Sequence, residues 1–196
     1  MEKFEINENG CLTAYHNDNK KIKEIIIPDG VTYIDRVFVK YIWLRSVTLP
    51  DSLKSIDLCA FHNNPHSPPR TNVWSMTYRG VNFNPRIDSW NIKETIEMIA
   101  NKDYSMLLSN DLKYPIVMQI YFNDRDEITE KYIKENFKEI FLFLNEKNDF
   151  ETIKKLIKSG KFISKCNIET YIKIADEKEC YEVLDILIEY KEENNF

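Results

Sequence analysis

The segment "IKEIIIPDGVTYID" (Ile22 to Asp35) returns as "LRSVTLPDSLKSID" (Leu44 to Asp57), 22 residues further along the chain. Pro28/Pro50, Asp29/Asp51, Ile34/Ile56 and Asp35/Asp57 are identical, and Ile22/Leu44, Ile25/Val47, Ile27/Leu49 and Val31/Leu53 keep their apolar character. Each copy closes on a phenylalanine, Phe38 and Phe61. So short a unit cannot bury its own apolar face, so one copy must lie against the next. Within a copy, alternate residues of a short strand point inward: Ile25 and Ile27 in the first, Val47 and Leu49 in the second. Pro-Asp then ends the strand, because proline fixes φ and the aspartate side chain hydrogen-bonds the neighbouring backbone.

The pattern "IPDGVTYI…F" followed by "LRSVTLPDSLKSI…AF" resembles the BspA-type leucine-rich repeats of bacteria, and "ENGCLTAYHNDNKKIKEIIIPDGV" resembles the lead-in to such an array. The likeness covers residues 4–83, with two full copies. "KFEINENGCLTAY" reads as two short strands about Asn9-Gly10, a hairpin cap. "TNVWSMTYRGVNF" (Thr71 to Phe83) reads as a degenerate last coil after the loop "NNPHSPPR". The resemblance implies a leucine-rich-repeat solenoid over residues 1–86 that recognises a protein partner through its strand face.

Residues 87–196 read as helical. "SWNIKETIEMIANKD" sets Asn91 three residues ahead of Glu94, a helix start, with Ile92, Ile96 and Ile99 on one side. "LKYPIVMQIYF" reads as a second helix, in which Pro115 is tolerable only near the first turn. A different repeat follows: "NFKEIFLFLNEKNDFETIKKLIKSG" (Asn136 to Gly160) sets against "NIETYIKIADEKECYEVLDILIEYK" (Asn167 to Lys191) at an offset of 31. Each copy (136–166 and 167–196) reads as two helices with apolar residues at i, i+3 and i+4. The pairs resemble ankyrin-type helices, although the T-P-L-H-x-A motif is absent and the period is short of 33. The expected fold class is α+β: a short leucine-rich-repeat solenoid followed by an all-α, ankyrin-like helical domain.

Of the 196 residues, 43% are hydrophobic and 30% charged, the balance of a globular chain. No apolar run reaches the roughly 18 residues of a membrane helix. "MEKFEINENG" has no signal-peptide pattern, so a cytoplasmic location is expected. Residues 1–88 hold 11 Lys/Arg against 10 Asp/Glu, and residues 89–196 hold 16 against 22. No basic face emerges, so direct nucleic-acid binding is not expected. The acidic half suggests an alternative role: an antagonist of phage or mobile-element type that occupies the basic groove of a nucleic-acid-processing enzyme.

Cys11, Cys59, Cys166 and Cys180 form no CxxC pair and read as buried thiols in a reducing compartment. Cys59, His62 and His66 in "CAFHNNPH" are the right ligand types for zinc, but a fourth ligand is missing nearby, so no metal centre and no cofactor is expected. His16, in "AYHNDN", reads as part of a polar turn. Asp124, Asp126 and Glu127 read as acids complementing the positive end of the next helix. With four glycines there is no phosphate-cradling loop and no GxSxG, so the chain is not expected to be an enzyme. The expected contact residues lie on the outward strand positions Glu24, Ile26, Ser46 and Thr48, extended by Trp43 and Trp74. A face this small leaves room for completion by a homodimer.

Overall fold

The computed structural model of the chain describes residues 2–61, 73–85, 92–106 and 108–196. Two compact units divide it, Met1–Asp126 and Glu127–Phe196.

The first unit begins with a hairpin. β1 (Lys3–Ile6) and β2 (Cys11–His16) pair antiparallel, with an irregularity between Glu5 and Ile6. Asn7 builds the turn in two ways. Its carbonyl accepts the Gly10 amide at 2.9 Å, and its side-chain oxygen accepts the Asn9 and Cys11 amides at 3.0 and 2.9 Å. Gly10 sits at φ +76°, where a Cβ would stand 2.8 Å from Thr32 Oγ1 and 2.9 Å from the Gly30 carbonyl oxygen. Both the dihedral and the space exclude a side chain there.

The 22-residue echo acts as a register. β3 (Glu24–Ile26) pairs parallel with β5 (Ser46–Thr48), Glu24 opposite Ser46 and Ile26 opposite Thr48. β4 (Tyr33–Ile34) pairs parallel with β6 (Ser55–Ile56). β2 joins β4, β7 (Ser75–Tyr78) joins β5, and β8 (Val81–Phe83) turns back on β7. The resulting sheets run β1-β2-β4-β6 and β3-β5-β7-β8. Ile25, Ile27, Val47, Leu49 and Met76 from one sheet, and Leu12, Ile34 and Ile56 from the other, are all buried. Phe38 and Phe61 stack with centroids 5.2 Å apart and planes 5° apart, which extends this apolar layer from one copy to the next.

This arrangement corrects the expectation of a leucine-rich-repeat solenoid. A solenoid advances by one parallel step from coil to coil, whereas both sheets here are mixed and reverse direction, at β1/β2 in one and β7/β8 in the other. "TNVWSMTYRGVNF" is likewise no degenerate coil. Ser75–Phe83 is an antiparallel hairpin whose two turn residues, Arg79 and Gly80, hold φ at 49° and 73°. The period fixes the pairing of two copies and carries no further. The fold is α+β: two small mixed sheets, then helices.

Two helices complete the first unit. α1 (Ile92–Ala100) buries Ile96 and Ile99; the expected capping residue Asn91 lies outside the described residues. α2 (Asn110–Asp124) buries Tyr114, Ile116, Val117, Met118, Ile120 and Tyr121, apolar on most of its circumference as a core helix should be. Pro115 is its sixth residue and so falls in the second turn, not the first. Pro115 has no N–H to offer the Asp111 carbonyl one turn earlier, and Asp111 is an exposed residue at the start of the helix.

The second unit holds α3 (Glu127–Glu135), α4 (Phe137–Glu146), α5 (Phe150–Lys158), α6 (Ile168–Glu177) and α7 (Tyr181–Glu193). Phe137, Phe141, Phe162 and Tyr171 form its aromatic centre, with centroids between 4.9 and 6.2 Å apart. Burial pushes the Tyr171 phenol up, with Glu139 adding to it. α4 passes to α5 as α6 passes to α7. In each case a left-handed residue, Asn148 (φ 56°) or Glu179 (φ 55°), ends the helix, and the next amide bonds back to Leu144 or Ala175 at 2.9 Å. The ankyrin-like expectation is nevertheless corrected. α3 runs into α4 through the single residue Asn136, so the five helices do not divide into uniform helix-pair units.

Candidate protein-contact face

The outer face of the β3-β5-β7-β8 sheet is built from rungs of opposed residues. One rung is Glu24–Ser46–Ser75, and the next is Ile26–Thr48–Thr77, with Asn82 of β8 opposite Thr77. Period-2 alternation puts their neighbours Ile25, Val47 and Met76 in the core and leaves these side chains outside. Glu24 is exposed, Ser46 and Thr48 are half-buried between neighbouring strands, and Ile26 is 72% exposed. The short hydroxyl side chains beside it leave the isoleucine standing above the sheet.

Backbone pairing carries the face past the strand ends. The Lys23 carbonyl accepts the Arg45 and Ser46 amides at 2.7 and 2.9 Å, and the Arg45 carbonyl accepts the Trp74 and Ser75 amides at 2.8 and 3.1 Å. Trp74, 56% exposed, is thereby fixed one residue before β7, beside Arg45. Trp43, 47% exposed, sits on the turn closed by the Leu44 amide and the Tyr41 carbonyl at 3.0 Å, and Ile42 next to it is also exposed. Ser75, Thr77 and Asn82 complete the face, and sequence reasoning had not assigned them to it. Asn82 Nδ2 donates to Ser75 Oγ at 2.6 Å and to Thr77 Oγ1 at 3.0 Å, which locks their rotamers. The signal was present as the alternation Ser-Met-Thr-Tyr, but β7 follows β5 at 29 residues and not at 22, so the repeat did not point to it. Beneath, the Tyr78 hydroxyl donates to the Leu53 carbonyl at 2.6 Å, and burial pushes its phenol up.

The remaining candidates are placed as follows. Cys59 is half-buried and its amide donates to Asp57 Oδ1 at 2.7 Å; His62 and His66 lie outside the described residues. Among the described residues no group of three or more His, Cys, Asp or Glu is arranged to hold a metal ion. His16 ends β2 instead of lying in a turn, with Nε2 3.3 Å from Glu5 Oε1. Asp124 closes α2, and together with Asp126 it receives Lys102 Nζ at 3.0 Å each, with Arg79 3.7 Å from Asp124. Burial pulls the Lys102 ammonium down, but hydrogen bonds to the two aspartates outweigh it and the net shift is upward. These two acids therefore serve an ion-pair cluster, and the helix start is left to Glu127 and Glu130.

No protein-family model, no curated protein and no solved structure matches this chain. Neither the leucine-rich-repeat nor the ankyrin resemblance gains support there. Among the described residues no helix is long and apolar enough to cross a membrane.

Proposed function

We propose that the chain is a non-catalytic, cytoplasmic recognition protein that binds a protein partner through the outer face of the β3-β5-β7-β8 sheet. The observation that carries this reading is Ile26, an apolar side chain 72% exposed on the edge strand β3 of an ordered strand face that also presents Trp74 and Trp43. Large apolar and aromatic side chains held on a rigid, hydroxyl-lined surface supply contact area at low entropic cost, which is what interface anchors do. The test is affinity capture from lysate with wild type and an Ile26→Asp/Thr48→Asp variant, at low and high salt. A protein retained by wild type at both salts and lost by the variant supports the reading. Equal retention by both, or a turnover abolished by a single polar substitution, overturns it.

A second reading, inhibition of a nucleic-acid-processing enzyme, draws on a groove of about 330 Å³ lined by Phe150, Glu151, Lys154, Glu182, Asp185, Ile186 and Glu189. It requires binding to a basic surface that weakens steeply with salt. Binding unchanged between low and high salt rejects it.

A further inference from the structure

α5 and α7 hold equivalent places in the two copies of the 31-residue pattern, so Phe150, Ile153 and Ile157 correspond to Tyr181, Leu184 and Ile188. The chemistry of each position is kept, while the environment is not. In α5, Ile153 and Ile157 are buried and Phe150 is half-buried. In α7, Tyr181 is 65% exposed, Ile188 41% exposed and Leu184 partly so. The three lie at i, i+3 and i+7, one stripe on the side of α7 away from its buried Val183, Ile186, Leu187 and Tyr190. α7 itself packs on α5 as the later helix of the pair. The exposed stripe repeats on α7 the apolar positions that are buried or half-buried on α5.

The charges at its edge say what the occupant must be. Lys154 and Lys158 of α5 correspond to Asp185 and Glu189 of α7, so the sign reverses from one copy to the next. Where α7 meets α5, Lys154 shares a groove with Glu182, Asp185 and Glu189, lysine on the earlier helix facing acids on the later one. A helix covering the α7 stripe meets acids where α7 met lysine, and so needs basic residues at its own edge. A second copy of α7 would bring acids against acids.

We propose that the outer face of α7 docks a basic amphipathic helix of a partner protein, on Tyr181, Leu184 and Ile188. The inference does not rest on the sheet face. The test is fluorescence anisotropy of the full chain with two synthetic peptides of about 14 residues, four turns. Both peptides carry the buried stripe of α7 (valine, isoleucine, leucine and tyrosine at i, i+3, i+4 and i+7); one is flanked by lysines and the other by glutamates. The lysine peptide is expected to bind at least about tenfold more tightly than the glutamate peptide, and Ile188→Asp to weaken it by a similar factor. Ile26→Asp, in the other unit, is expected to leave that binding unchanged. Tyr181→Ser is the milder second variant should Ile188→Asp alter the thermal melt. Equal affinity for both peptides, no binding of the lysine peptide, or indifference to both α7 variants overturns the proposal. So does a concentration-dependent dimer abolished by Ile188→Asp, which would give the face to a second copy.

Discussion

Asp149 and Cys180 stand at the same backbone position ahead of α5 and α7, at φ −87°, ψ 64° and φ −90°, ψ 71°. Asp149 accepts the Thr152 amide at 3.2 Å, whereas Cys180 makes no side-chain cap. The Cys180 thiol points instead to the Lys178 carbonyl, 3.5 Å away. The repeat has thus preserved the turn and lost the cap in its second copy. Cys180→Asp supplies an acceptor where the backbone is already shaped for one, and the added charge lies at the positive end of α7. The expected gain is about 1 kcal/mol in urea unfolding of the second unit. An unchanged midpoint would mean that the α7 amides are already served by water at no cost.

Gly10 and Gly30 separate two reasons for glycine. Both hold positive φ, +76° and +88°, but a Cβ on Gly30 meets nothing within 4 Å, while one on Gly10 collides with Thr32 and with the Gly30 carbonyl oxygen. Gly30→Ala should therefore cost only the left-handed backbone, about 1 kcal/mol. Gly10→Ala adds displacement of β2 from the turn before β4, and should cost about 2–3 kcal/mol or more. Thermal melts of the two variants check the order, and equal costs would remove the steric argument.

What the sequence made legible is local and periodic. The alternation of Ile25, Ile26 and Ile27 fixes which of them is buried, because a strand has only two faces. The spacing of Glu24 to Ser46 fixes their pairing, since equivalent residues of adjacent copies meet in parallel. The Arg79-Gly80 reversal was missed because one turn residue is an arginine, a poor signal for a left-handed conformation. Lys102 reaching Asp124 and Asp126 was missed because that contact joins the turn after α1 to the end of α2, more than twenty residues on, which no local pattern encodes. The face residues Ser75, Thr77 and Asn82 were missed because β7 breaks the period.

Glu130 links α3 to the segment after α5. Its carboxylate accepts Lys134 Nζ at 2.7 Å and also pairs with Lys161, and these two bonds, Lys134 first, hold its carboxyl below the ordinary 4.5. A carboxyl that is more acidic folded than unfolded stabilises above the unfolded value and loses that contribution as pH falls through the folded one. Glu130→Gln should therefore lower stability at neutral pH by about 0.5 kcal/mol, the size expected of an exposed pair. The difference should close as pH drops below 4.5. Urea midpoints at neutral and acid pH test it; a gap that persists in acid would assign the loss to packing.

Ile26 and Leu49 sit on opposite sides of the same sheet, and their substitutions should separate recognition from stability. Leu49 is 3% exposed, and Leu49→Ala leaves a cavity worth about 2–5 kcal/mol. Ile26 is already mostly in water, so Ile26→Asp removes little burial and should stay within about 0.5 kcal/mol of wild type. Aspartate is a poor strand former, but β3 is only three residues long and its backbone bonds run to Ser46 and Thr48 regardless of the side chain. Circular-dichroism melts beside partner capture decide the matter. A stable Ile26→Asp protein that no longer holds its partner places that side chain in the interface. A variant that loses stability as Leu49→Ala does would mean that Ile26 is held by the fold, and the contact face would then have to be sought at Trp74 and Trp43 alone.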